Sequence, residues 1–296
     1  MSWQFVIAGL VIGLIVGMTG VGGGSLMTPV LIIIFGFSPQ NAVGTDLFHG
    51  AIFKSFGAWR HRRLGTVHGH LALWLFAASG PMAIAGVITS QVLENQLTNA
   101  ETVLNYAIGV ALVLGGLGFL AKTVIKRGIQ SSDAPFVLAP RDKLIAVATG
   151  AVFGFIVGLT SVGSGTYFGL VMVLVFPLTM AKIVGTDIYH AAALLWVAGI
   201  GHAIIGDVDW HAVLFLMIGS IPGILFSSRF TVAVPQTTIR LGLAGILIIS
   251  GIKLLDPNKH LPTWLYATLL IALAVVVTVY TFMAMRAPRT TQVEPS

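Results

Sequence analysis

Residues 13–24 read Gly13-Leu-Ile-Val-Gly17-Met-Thr19-Gly-Val21-Gly22-Gly23-Gly24, and residues 154–165 read Gly154-Phe-Ile-Val-Gly158-Leu-Thr160-Ser-Val162-Gly163-Ser164-Gly165. Held at that offset of 141 residues, 13–81 aligns with 154–222 without a gap, and 24 of the 69 pairs are identical. The matches include polar positions: Gly44-Thr45-Asp46-x-x-His49 recurs as Gly185-Thr186-Asp187-x-x-His190. Shared hydrophobicity alone would not reproduce those residues, so the chain carries an internal duplication. Both copies break a long apolar run with glycines at the same place. Repeats with interrupted apolar segments are the pattern of secondary transporters, whose binding site lies where the interruptions meet.

Composition places the duplication in lipid. Of 296 residues, 56% are hydrophobic and 9% charged, and the mean hydropathy is +0.95, more apolar surface than a soluble core of this size hides. Runs such as 71–92, 103–120, 183–205 and 265–285 have the length needed to cross about 30 Å of hydrocarbon as helix. They do not alternate as the strands of a membrane barrel would, so the expected fold class is all-α, a polytopic helical membrane protein. Cysteine is absent, which removes disulfides, thiolate chemistry and Cys-ligated metals from consideration and leaves the redox compartment undetermined. The N-terminal stretch is apolar but lacks a basic leader and a cleavage site, so it reads as a retained membrane segment.

The net charge of +6 raises nucleic acid as a partner, but the basic residues sit in the breaks between apolar runs. Topology explains that placement better, and no nucleic-acid partner is expected. Residues 5–37 and 144–178 are each long apolar segments with a glycine break in the middle. Counting each as two passes or a re-entrant hairpin puts Arg60, Arg62, Arg63, Lys122, Lys126, Arg127, Arg141, Lys143, Lys182, Arg229, Arg240, Arg286 and Arg289 on the cytoplasmic face. Lys253 and Lys259 then lie outside with Glu94, Glu101, Asp207, Asp209 and Asp256. Counting each as one pass scatters the second half's basic residues onto both faces, so inverted repeats are expected. The organisation read this way is a first repeat (1–125), a cytoplasmic linker (126–143), a second repeat (144–258), an extra C-terminal helix (259–286) and a cytoplasmic tail (287–296). The expected location is the inner membrane, crossed several times. Trp3, Trp59, Trp74, Trp210 and Trp264 fall near segment ends, as interfacial belts do.

Several residues are candidates for chemistry. The glycine breaks expose backbone N–H groups, and half-helices meeting there aim positive ends at one point, which suits an anion. Gly22, Gly23, Gly24 and Ser25 in the first copy, with Gly163, Ser164, Gly165 and Thr166 in the second, are therefore candidate anion ligands; the alternative is that these glycines only permit close helix packing. His49 and His190 lie one turn from Asp46 and Asp187, and ionisable groups at membrane depth mark function. Thr45, Asp46, Thr186 and Asp187 have a second reading as caps of helices starting there, or they support proton coupling. Lys54, opposite Leu195 in the second copy, either neutralises the anion or snorkels toward Arg60. His61 pairs with His202 and His70 with His211, and all four read as surface residues near loop ends.

A glycine break after an apolar helix followed by Gly-Thr-Asp-x-x-His, twice over, resembles the TauE/SafE family of sulfite exporters, across residues 5–255. The resemblance implies transport, chiefly export, of a sulfur-containing anion such as sulfite, thiosulfate or an organosulfonate. The second copy departs from the pattern with Ser164 between its glycines and Leu170 opposite Pro29. The expected mechanism is alternating access around an anion held between the two breaks, with no cofactor, metal or catalytic residue. An anion channel is the first alternative; an intramembrane enzyme using Asp46, His49 and Ser164 is a remoter one, since no nucleophile elbow or cofactor fingerprint is present. The expected partners are the small anion and the lipid bilayer, and a homodimer is left open.

Overall fold

The computed structural model describes residues 2–19, 24–124, 136–227, 236–256 and 260–286. Gly22, Gly23, residues 126–135 of the linker, Arg229, Lys259 and the tail lie outside them. The described residues form eleven α-helices: α1 Ser2–Thr19, α2 Gly24–Ile33, α3 Pro39–Arg63, α4 Gly69–Gln96, α5 Ala100–Val124, α6 Pro140–Thr160, α7 Tyr167–Val175, α8 Met180–Ile205, α9 Trp210–Ser227, α10 Gln236–Leu254 and α11 Thr263–Arg286. Among them α4, α5, α6 and α8 are long and apolar enough to cross a membrane.

The two interrupted segments are re-entrant hairpins. With 10 and 9 residues, α2 and α7 are only about 15 Å long, half of what a crossing needs. Each leads the chain back to where the hairpin began: Phe35 stacks on Phe5 with centroids 4.5 Å apart, and Phe176 meets Phe136 edge-on at 6.3 Å. In the second hairpin Ser161 (φ 61°), Gly163 (φ 119°) and Gly165 (φ 101°) adopt left-handed backbone. Glycine takes that conformation without strain, and three such residues in five turn the chain over between α6 and α7. Residues 160–169 are all buried, so the tip sits inside the protein.

The repeats are inverted, and their contacts give the direction directly. In α3 and α8, equivalent helices of the two repeats, Gly44 lies against His202, Gly50 against Leu195 and Gly57 against Ile188, an antiparallel pairing. In α5 and α10, Gly109 lies against Gly251 and Gly116 against Ala244, again antiparallel. Each repeat's first helix packs on the fourth helix of the other. A Cβ at Gly9 would fall 2.2 Å from the Leu216 carbonyl oxygen, and one at Gly150 would fall 2.4 Å from that of Leu75. The first contact moved by the repeat offset becomes the second. Without a hydrophobic drive between helices in lipid, such backbone-to-backbone approach is a main source of association. Glycines along the helix shafts, outside the two breaks, thus let helix backbones meet closely. Helix α11 packs on α10 alone among the larger contacts and has no counterpart.

Capping corrects one expectation. Ser38 and Thr179 are the N-caps of α3 and α8, accepting from Asn41 N and Lys182 N, each at 3.3 Å. Thr45 and Thr186 lie inside those helices and instead accept from the backbone of the opposite repeat, Asp209 N at 3.0 Å and His68 N at 2.9 Å. They fasten the start of α9 to α3 and the start of α4 to α8.

Candidate functional site

The middle of α3 supplies Asp46, His49 and Lys54, and the middle of α8 supplies Asp187, His190 and Leu195. The first five are buried although ionisable. The 141-residue relation persists in their contacts. His49 Nε2 lies 3.0 Å from Ser220 Oγ, and His190 Nε2 lies 2.8 Å from Ser79 Oγ. Ser79 and Ser220 are themselves repeat mates, on α4 and α9. Sequence reasoning passed over them, although an identical Ser-x-Pro in both copies was there to be read. Each histidine therefore ties a core helix to the fourth helix of the other repeat, beside a ring: Phe53 for His49 and Phe168, at 4.4 Å between centroids, for His190. His190 Nδ1 is buried with no partner among the described residues.

The two aspartates differ. Asp46 Oδ2 accepts from Thr28 Oγ1 at 2.6 Å, Thr28 N at 3.2 Å and Ser161 Oγ at 2.8 Å. The carboxylate thus joins α2, α3 and the tip of the second hairpin, a set of charge-assisted bonds that holds three elements in register. At the corresponding place around Asp187 the Thr28 position is Gly169. A Cβ there would lie 2.7 Å from Lys122 Nζ and 3.0 Å from Asp187 Oδ2. With no hydroxyl there, Asp187 Oδ1 has no partner among the described residues, and Asp187 faces Lys122 and Lys54.

Lys54 does not snorkel. It is 3% exposed, and its ammonium donates to Ser164 Oγ at 2.8 Å and to the Ser164 carbonyl oxygen at 3.2 Å. Lys122, read from sequence as a cytoplasmic surface charge, is half-buried with its ammonium 3.5 Å from the Gly165 carbonyl oxygen. Two cations from α3 and α5 thus converge on the Gly163-Ser164-Gly165 turn. The Ser164 and Gly165 amides donate to no group among the described residues, and the Thr166 hydroxyl is buried without a partner. Of the first break, Gly24 and Ser25 open α2; Gly22 and Gly23, like the Ser25 side chain, lie outside the described residues.

His202 also departs from expectation. It is fully buried, with Nδ1 2.8 Å from Asp207 Oδ2 and Nε2 3.0 Å from the Gly158 carbonyl oxygen. A carbonyl only accepts, so Nε2 carries a hydrogen. The contact at Nδ1 then needs a proton as well, either as imidazolium with carboxylate or as imidazole with carboxylic acid. His61, its repeat mate, is half-buried and bonded to Thr66 at 2.9 Å, whereas His70 and His211 are exposed as expected.

Between the end of α3, the first turns of α4 and the middle of α8 lies a cavity of about 440 Å³ lined by Arg62, Val67, Gly69, Ala72, Leu73, Phe76, Tyr189, His190 and Ala193. The Arg62 guanidinium donates to Tyr189 Oη at 3.2 Å at its rim.

Comparison with known proteins agrees with this architecture. The family model described as sulfite exporter TauE/SafE matches residues 5–254. The probable membrane transporter protein YjnA of Bacillus subtilis is 35% identical over 255 residues, covering 86% of this chain and all of the relative. YdhB of the same organism is 24% identical, covering 82% of this chain and 96% of its own length. The probable membrane transporter protein MJ0441 of Methanocaldococcus jannaschii is 23% identical, covering 84% and 94%. No solved structure matches. A family match across nearly the whole duplicated region, on a helical membrane fold, leaves one conclusion: the chain belongs to the TauE/SafE sulfite exporter family of membrane transporters.

Proposed function

We propose that the protein is a secondary transporter that exports a small sulfur-containing oxyanion, sulfite, thiosulfate or an organosulfonate, across the cytoplasmic membrane by alternating access. The observation that carries this reading is Lys54: a buried ammonium in mid-helix that points at the broken tip of a re-entrant hairpin. The Ser164 and Gly165 amides, which donate to no group among the described residues, and the Thr166 hydroxyl stand beside it, and Lys122 approaches from the other side. Burying a cation at this depth is costly, and an oxyanion that accepts from several N–H groups at once would offset the cost in the bound state. Ser164 accepts from the ammonium, and substrate would replace that contact.

Asp46 and Asp187 balance Lys54 and Lys122, so an arriving monoanion leaves one negative charge in low dielectric. A proton taken up by His49 or His190 offsets it. The repeats supply the moving parts: α3 and α8 hold the site while the hairpins and their partner helices rock around it.

The test is flux into proteoliposomes of sulfite, thiosulfate and a short organosulfonate, each with counterflow. Saturable flux accelerated by substrate on the opposite side is expected; flux without counterflow would make the protein a channel. Replacing His49 and His190 by Ala is expected to remove the pH dependence, and flux with unchanged rate and pH profile would overturn the role given to the histidines.

A further inference from the structure

The repeat relation also marks where the molecule is not symmetric. Moved by the repeat offset, the lining of the 440 Å³ cavity becomes a second set of residues around His49. In that set Gly69 is replaced by Trp210, Ala72 by Val213, Ala193 by Ile52, Tyr189 by Phe48 and Arg62 by Ala203. The first three exchanges enlarge a side chain, and the last removes the cation. Trp210 meets Phe48 edge-on with centroids 4.8 Å apart, and Phe48 meets Trp196 at 5.5 Å. On the other side, a Cβ at Gly69 would have nothing within 4 Å.

The cavity and the mirrored set of residues also lie toward opposite faces. Gly69 begins α4 and Trp210 begins α9, helices that inversion starts from opposite sides. The Gly69 side is the one that carries Arg60, Arg62 and Arg63.

We propose that the cavity between α3, α4 and α8 is an access site for the transported oxyanion, with Arg62 and Tyr189 as its first recognition residues and His190 at its inner end, while Trp210 closes the mirrored route. This rests on the transporter reading above. Arg62 is exposed and its guanidinium is held by the Tyr189 hydroxyl; His190 is 1% exposed with Nδ1 unpartnered. A charged mouth with an apolar wall and one polar group at the base raises the local concentration of a small anion without holding it tightly. The volume is within the range of small-ligand clefts. The apolar share of the wall, Leu73, Phe76 and Ala193, suits an oxyanion carrying a short organic group as well as an inorganic one.

The chain has no cysteine, so single-cysteine labelling is clean. Ala193→Cys, in full-length protein in proteoliposomes of both orientations, is exposed to a sulfonated, membrane-impermeant maleimide. Labelling is expected from the Arg62 face only, to be slowed several-fold by Arg62→Gln, and to fall at least tenfold in Gly69→Trp, which fills open space. The same Gly69→Trp change without the cysteine is expected to abolish flux, while Trp210→Gly is expected to admit the reagent to Ile52→Cys from the opposite face. Equal labelling from both faces, or flux that survives Gly69→Trp once labelling is lost, overturns the access site and leaves the transporter reading intact. Reaction with a lipid-dissolved maleimide alone would make the cleft a lipid groove and also overturn it. Absence of anion flux in the unmodified protein, with one-sided labelling retained, would instead sink the transporter reading.

Discussion

The two repeats place the same Asp and His one turn apart at the centre of the molecule and then surround them differently. In the first, Asp46 Oδ2 accepts three hydrogen bonds from Thr28 and Ser161, which hold the second hairpin's tip against α3. In the second, Gly169 stands where Thr28 would be, one Asp187 oxygen lacks a partner, and Lys122 occupies the vacated space. Lys54 has Leu195 as its mate, so the cation that reaches from α3 to the second hairpin has no counterpart at the equivalent position of α8. The frame is common to both repeats, while the side chains that touch the hairpin tip differ: a hydrogen-bonded carboxylate on one side and two converging ammonium groups on the other.

That contrast can be broken at its strongest point. Lys54→Met keeps the length of the side chain and removes the ammonium; flux is expected to fall about 100-fold with the protein still folded, since a charge-assisted contact with substrate is worth roughly 2–3 kcal/mol. Proteoliposome flux beside thermal unfolding in detergent checks both halves of the statement. Making the second half resemble the first is the next test. Gly169→Thr places a hydroxyl beside Asp187 and pushes Lys122 aside, with an expected loss of about tenfold in flux at near-normal stability. Full activity would mean that Lys122 is not part of the site.

The frame should respond symmetrically where the site does not. Gly9→Val and Gly150→Val each drive a side chain into a carbonyl of the opposite repeat, and each is expected to cost about 1–3 kcal/mol, similar within error. Unequal losses in thermal unfolding would show that one of the two helix pairs carries most of the packing. The smallest effect belongs to α11, which neither repeat owns. Asp256 accepts from His260 N at 2.9 Å, Leu261 N at 2.8 Å and Tyr266 Oη at 3.2 Å, and the Leu261 amide foremost holds its carboxyl below the ordinary value. A carboxyl lowered in the folded state contributes stability above its unfolded value of about 4 and loses it as the pH falls through the folded one. The α10–α11 connection is therefore expected to loosen only in that acidic window, and Asp256→Asn to remove the dependence, read by hydrogen exchange at Leu261.

Much of this was legible before any coordinate. The register of the repeats, their inversion, the hairpins and the inward placement of Asp46, His49, Asp187 and His190 follow from polar residues that recur where lipid would tolerate none. What sequence could not give was partnership between halves. Ser79 and Ser220 look like ordinary small packing residues until a histidine is set against them. Lys54 and Lys122 lie about nine and two residues from the charged ends of their helices, and only the depth of the second hairpin shows that they turn inward. His202 was misplaced for the same reason, since nearness to a loop in the chain says nothing about the α6 carbonyl that covers it.

The central claim is that an oxyanion binds at Lys54 and the second hairpin tip, and equilibrium binding to purified protein tests it most directly. Radiolabelled sulfite, thiosulfate and a short organosulfonate are titrated against the unmodified chain and Lys54→Met, with Leu195→Met as the control at the mirrored position. At least one anion is expected to bind the unmodified chain and Leu195→Met alike, with affinity for Lys54→Met weakened about 30-fold or more. Equal affinity in all three proteins would contradict the account.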